Sequence, residues 1–264
     1  MQKQIINIFW KDMDNIGDRM SGAGLYFDFP LPVKFVDIKT IDLPKEELEK
    51  SFIIIGGGGH LHLPSLDYNN NRMEHLELLA SLSKWTVLWG IGNNIHNTKQ
   101  HIYPDCLNKF ILVGLRDFSN PYEYVPCPSC MSPLFDEYKT ILPHRNSIVY
   151  KHKFTEKLSE NYLIPSYECE GITMGKSLEA IATAHTIFTD SYHGAYWSLL
   201  LNKTVVVPNP YSSKFYSLHP NLIIRGEEQS GFVDKSINYL EKCREANISF
   251  YARVLEKVFE YMES

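Results

Sequence analysis

His193 stands in Thr189-Asp190-Ser191-Tyr192-His193-Gly194, a run of polar and small residues between the apolar residues 186–188 and a helix-type run at 195–201. Imidazole is the side chain that most readily moves a proton near neutral pH. A strand that turns straight into a helix leaves backbone N–H groups aimed outward, where they can hold an anion. This stretch therefore combines a proton carrier with an anion cradle. Ser191 and Tyr192 lie beside it as candidate ligand contacts. Asp190 could orient the imidazole or cap the helix.

Two cations extend this chemistry. Arg116 follows the apolar residues 111–115 directly. A guanidinium there can grip a carboxylate or phosphate through paired hydrogen bonds. The competing reading is an ion pair with Asp117 or across a domain interface. After the apolar run 204–207 comes Tyr211-Ser212-Ser213-Lys214-Phe215. The Ser212 and Ser213 hydroxyls and the Lys214 ammonium suit a phosphate, with a plain solvated loop as the alternative. The chain has ten histidines, so most must be surface or packing residues. His60 and His62, after four consecutive glycines, rank below His193.

Such residues need strands and helices to present them. Residues 5–10, 33–38, 52–55, 85–89 and 111–115 read as strands. Helices are expected at 45–50 and 72–83, the latter with Met73, Leu76, Leu79 and Leu82 at helical spacing. Alternating strands and helices imply a mostly parallel sheet, and continuous apolar strands imply one covered on both faces. Ligands of open parallel sheets bind at the carboxyl ends of strands. Four segments are expected there: Asn15 to Asp18, Gly56-Gly57-Gly58-Gly59, Gly90 to Asn94 (with Gly92 and Asn93), and Arg116 to Ser119. The glycines lack the spacing of a dinucleotide fingerprint or a P-loop, yet they allow close backbone approach to a ligand.

Pro133, Pro143, His144 and Arg145 read as a linker region. A second series follows: strands at 147–150, 186–189 and 204–207, a helix at 177–184 capped by Ser177, a helix at 195–201, and a long helix at 233–262 broken near Asn247. No internal repeat is visible. The expected fold class is α/β, with two Rossmann-like domains at residues 1–142 and 143–264, the second ending in the long helix.

Composition narrows the function classes. With 44% hydrophobic residues, 264 residues can bury a real core. A net charge of −5 and no basic block give no sign of a nucleic-acid partner. No signal peptide is read at the N-terminus, and no apolar run reaches the ~18 residues of a membrane span. A cytoplasmic protein is expected, at most peripheral to the inner face of the membrane. Five cysteines in a chain this long do not suggest a disulfide framework. Cys127-Pro128-Ser129-Cys130 has redox or zinc spacing, but its prolines favour a packed loop. No HExxH motif or carboxylate pair of metal spacing is present.

Taken together, Asn-Ile-Gly-Asp (15–18), the glycine run, Gly-Ile-Gly (90–92), Leu-Arg-Asp-Phe-Ser (115–119) and Asp-Ser-Tyr-His-Gly (190–194), with Leu199-Leu200 and Ser213-Lys214 behind it, resemble the polysaccharide pyruvyl transferase family. The pieces occur in the family's order across residues 5–217. The resemblance implies two Rossmann-like domains facing across a cleft, as in GT-B enzymes, and transfer of pyruvate from phosphoenolpyruvate onto sugar hydroxyls as a ketal. It implies Arg116 as an anion binder, His193 as acid/base, and no cofactor. The acceptor would be a saccharide, free or lipid-linked.

The chain departs from the family at Tyr192, where many members have arginine. One anion clamp would then be missing, or supplied by Lys214 or Arg145. The departure leaves room for a glycosyltransferase using a nucleotide sugar. A non-catalytic sugar-binding protein is the third reading.

Overall fold

Most of the apolar runs become parallel strands. The computed structural model describes residues 2–11, 14–61, 72–152, 164–219, 222–227 and 238–264. The first series comprises β1 (Ile5–Phe9), α1 (Ile16–Arg19), β2 (Val33–Asp37), α2 (Lys45–Glu49), β3 (Phe52–Ile55), β4 (Gly58–Leu61), α3 (Arg72–Leu82), β5 (Thr86–Asn93), β6 (Leu112–Leu115), β7 (Glu123–Tyr124) and α4 (Leu134–Tyr138). The second comprises β8 (Arg145–Lys151), β9 (Ser166–Glu168), α5 (Met174–Ala182), β10 (Ala184–Thr189), α6 (Tyr192–Leu200), β11 (Thr204–Val207), β12 (Ile223–Ile224) and α7 (Tyr239–Glu263).

The strands form two sheets, of seven and five strands, in which every pairing is parallel. The first runs β2-β1-β3-β5-β6-β7, with β4 pairing to β5 beyond β3. The second runs β9-β8-β10-β11-β12. Counted by order of appearance, the five main strands of each sheet lie 2-1-3-4-5. The two units thus share one topology without a repeat in the sequence, an architecture compatible with two Rossmann-like domains. Strand order reverses between β1 and β3 in one sheet and between β8 and β10 in the other. Ligands of such sheets bind beside that reversal.

The first sheet is covered on both faces. Ile6, Ile8, Ile53 and Ile55 pack with Leu76 and Leu79 of α3. On the opposite face Ile5, Phe52, Ile54 and Trp89 pack with Phe250, Val254, Val258 and Tyr261 of α7. The start of the same helix, at Leu240 and Cys243, belongs to the core of the second unit. The side chains of Met73 and Leu82, the whole of His62, and residues 233–237 of the expected long helix lie outside the described residues.

Several expectations need correction. Gly90-Ile91-Gly92 does not end a strand; β5 continues to Asn93, and Gly58 and Gly59 belong to β4. Strand β4 extends the line of β3, pairing Gly58 with Ile91. The break expected at Asn247 is absent from α7. Its amide is satisfied inside the core, accepting from the Trp89 indole at 2.8 Å and donating to the Pro126 and Cys243 carbonyls at 3.2 and 2.9 Å. Helix α5 starts at Met174, capped by Thr173; Ser177 lies inside it, its hydroxyl paired with that of Tyr150 at 2.9 Å. The expected linker region contains helix α4, and Arg145 already opens β8. No helix among the described residues is long and apolar enough to cross a membrane.

Candidate functional site

The two strand-order reversals meet. Beyond β1, Asn15 caps α1 by accepting from the Gly17 amide at 3.0 Å. Helix α1 then reaches the second unit: the Ile16 amide donates to the Cys169 carbonyl at 3.2 Å, and Asn15 bridges Glu170. Beyond β10, α6 begins at Tyr192, three residues earlier than expected. Its cap is Ser191, not Asp190, and it accepts from the Gly194 amide at 3.2 Å. His193 therefore lies in the first turn of a helix. The Tyr192 and His193 amides have no acceptor among the described residues, as expected for orphan donors at a helix start.

His193 is only 4% exposed. Its ring lies against Gly17, where an added Cβ would stand 2.2 Å from Cγ and Nδ1. Its Nε2 is 3.5 Å from the Cys127 sulfur. Burial holds its pKa well below the usual imidazole value, and the positive fields of Arg116, Lys214 and His152 add to the effect. His193 is thus neutral at pH 7, and three basic groups gather around it.

Arg116 is 3% exposed, and its guanidinium carbon lies 3.6 Å above the Tyr192 ring centroid. A stack of this kind contributes about 0.5–2 kcal/mol. Its Nε is buried without a hydrogen-bond partner. The expected alternative, an ion pair with Asp117, is not formed. Asp117 instead accepts from the Asn93 amide and side chain at 2.9 and 2.8 Å, and from the Ser217 hydroxyl at 3.0 Å. Among the described residues, the arginines paired with carboxylates are Arg244 and Arg253. A buried, unpaired cation costs several kcal/mol, which an anionic ligand would offset. The glycines make room for it: an added Cβ would lie 3.2 Å from Nη2 at Gly59, and 3.1 Å from Nε at Gly92.

Lys214 is 7% exposed and donates to the Tyr211 hydroxyl at 2.6 Å. The two serines before it are engaged with the first unit. Ser212 donates to the Asn94 side chain at 2.7 Å, and the Ser213 hydroxyl accepts from the Ile95 amide at 3.0 Å. They fasten this loop and position Lys214. Asp18 and Asp190 both bear electrostatically on Tyr211, so they face the same region.

The structure thus gathers His193, Arg116, Tyr192, Lys214, Gly59 and Gly92. It uses Asn15, Asn93, Ser191, Ser212 and Ser213 as fasteners. The Gly57 amide donates to the Ser21 carbonyl at 2.6 Å and its carbonyl meets His60 Nε2 at 2.7 Å, while Gly58, at φ +113°, starts β4. Arg145 is excluded as a second clamp. It opens β8 five residues before Tyr150, roughly 17 Å from the carboxyl edge. Sequence reasoning placed Gly17 and Tyr211 in candidate segments, but missed Cys127 and His152 as members of this neighbourhood. His152 had a signal, since it follows the carboxyl end of the apolar run 147–150.

An imidazole kept neutral near a buried arginine, a lysine and two helix-start amides can take up a proton as a multiply charged anion binds, and then pass it on. The chain matches no known family model, and no curated protein matches it.

Proposed function

We propose that this chain is a transferase of surface-polysaccharide assembly that moves pyruvate from phosphoenolpyruvate onto two hydroxyls of a sugar. The observation that carries this reading is Arg116, buried and unpaired beside His193. In this reading the two sheets face each other across a substrate cleft, as in GT-B-like enzymes. The donor carboxylate pairs with Arg116. Its phosphate lies toward Lys214 and the Tyr192 and His193 amides.

The chemistry requires a proton on the methylene carbon of the donor, which creates a cation at the adjacent carbon. His193, protonated once the donor is bound, supplies that proton. One sugar hydroxyl attacks the cation and returns its proton to His193. The carbon–oxygen bond to phosphate then breaks, a second hydroxyl closes the ketal, and its proton leaves with the phosphate. The acceptor is a saccharide, free or lipid-linked, and the protein works in the cytoplasm at the inner face of the membrane.

A second reading is a glycosyltransferase that holds a nucleotide diphosphate at the start of α6. It is favoured by Tyr192, which covers one face of Arg116 and stands where the resembling family often has a second arginine.

Thermal shift separates the two. Phosphoenolpyruvate should raise Tm, by about 2.7 kcal/mol of stabilisation at a hundredfold excess over Kd, and should then release phosphate when an acceptor is added. A shift with nucleotide diphosphates and none with phosphoenolpyruvate overturns the first reading in favour of the second.

A further inference from the structure

Cys127 reaches His193 from a loop 66 positions earlier in the chain. Three contacts hold that loop in place. The Tyr196 hydroxyl donates to the Cys127 carbonyl at 3.0 Å. Asn247 donates to the Pro126 carbonyl at 3.2 Å. Gly90, at φ +66°, lets the loop approach β5, because an added Cβ would stand 3.0 Å from Pro128 Cδ and 3.1 Å from the Pro126 carbonyl oxygen.

The thiol is one link in a longer chain of polar atoms. The Trp197 indole nitrogen is 3.0 Å from the Ser129 hydroxyl. That hydroxyl is 3.3 Å from the Cys127 sulfur, which is 3.5 Å from His193 Nε2. An indole N–H only donates. The serine oxygen must therefore accept from it, and its own hydrogen is free to point at the sulfur. The thiol, kept protonated because burial pushes its pKa up, then has its hydrogen for Nε2. Trp197 and His193 both lie on α6, so the chain leaves the helix at one residue and returns to it one turn earlier.

We propose that Cys127 is a positioning residue: within the chain Trp197–Ser129–Cys127–His193, its thiol donates to Nε2 and holds the neutral imidazole as the Nδ1–H tautomer. Nδ1, on the side of Gly17, then holds the proton that faces a substrate, and the second proton that makes the ring an acid adds at Nε2. This rests on the reading of His193 as the proton carrier, but the tautomer is measurable without any substrate.

The test is long-range proton–nitrogen NMR of histidine-labelled full chain at pH 8. Wild-type His193, assigned by loss of its signal in H193Q, should show a pyridine-type Nε2 and a pyrrole-type Nδ1. Cys127→Ala should shift it toward the opposite tautomer, and Cys127→Ser, which keeps a donor, should preserve it. A wild-type His193 protonated at Nε2 overturns the proposal whether or not the variants fold. So does a folded C127A protein whose tautomer is unchanged. If phosphoenolpyruvate is turned over, C127A should lower kcat about 10-fold or more with KM little changed, and C127S should restore it. Absence of turnover with the expected tautomer would count against the proposed reaction and leave the positioning role standing.

Discussion

The imidazole of His193 fills the space that any side chain at residue 17 would need. The distance from an added Cβ to the ring is 2.2 Å, well inside van der Waals contact. The obstacle is a ring anchored to the first turn of α6. Gly17→Ala should therefore displace His193 or prise α1 from the second unit. The expected cost is about 1–3 kcal/mol, seen as a lower Tm, together with loss of anion binding. A G17A protein with wild-type Tm and binding would show that the two elements do not meet as described.

Arg116 makes a second, less common prediction. Removing most buried polar groups destabilises a fold, but this guanidinium has no carboxylate partner to strand. Arg116→Met keeps the volume and the contact with Tyr192 while removing the charge. The ligand-free protein should be unchanged or more stable, by up to about 3 kcal/mol, as when buried charges give way to apolar groups. Stabilisation by phosphoenolpyruvate should vanish. Both are read from one thermal-shift series, and a large drop in ligand-free Tm would mean that Arg116 is paired in solution.

His193 should make stability depend on pH. Its folded-state pKa lies below the unfolded value of about 6.5, so the unfolded chain binds more protons as the medium becomes acidic. The stability that depends on neutral His193 is complete above about pH 6.5 and is lost as pH falls toward the folded-state pKa. His219, lowered to about 4 by burial, acts in the same direction. Urea denaturation from pH 8 to pH 5 should show the decline, and His193→Gln should flatten it.

A bound anion should reverse part of that shift. It would offset Arg116 and Lys214, two of the charges that hold His193 neutral. Binding should therefore take up protons below about pH 6.5. Calorimetry in two buffers of different ionisation enthalpy measures this uptake, and identical heats in both would remove the coupling between donor binding and loading of the acid.

Asn247 tests the packing of the long helix. Asn247→Leu would leave the Trp89 indole N–H and the Pro126 carbonyl buried without partners. Two orphaned groups should cost about 2–5 kcal/mol, measured by urea denaturation. An undiminished midpoint would mean that those groups find other partners.

The strands were legible where apolar residues run unbroken, as in Phe52–Ile55 and Thr204–Val207. Short edge strands such as Glu123–Tyr124 carry too little pattern to read. The glycines misled in a specific way. Gly59 and Gly92 read as strand ends because glycine is a poor strand former, whereas here they clear a path for the Arg116 side chain. Asn247 read as a helix break because its partners, Trp89 and Pro126, are more than a hundred residues away. His193 and Arg116 were visible because each follows an apolar strand. Cys127 was not, because its approach to His193 depends on how two sheets meet, which no local pattern encodes.

Helix α7 has a consequence for the order of folding. One face of the first sheet, carrying Ile5, Phe52, Ile54 and Trp89, is covered by Phe250, Val254, Val258 and Tyr261. During synthesis that sheet leaves the ribosome with this apolar face bare, and it stays bare until α7 has followed it. Exposed surface of that kind invites aggregation. Residues 1–142 expressed without α7 would therefore lack part of their own core.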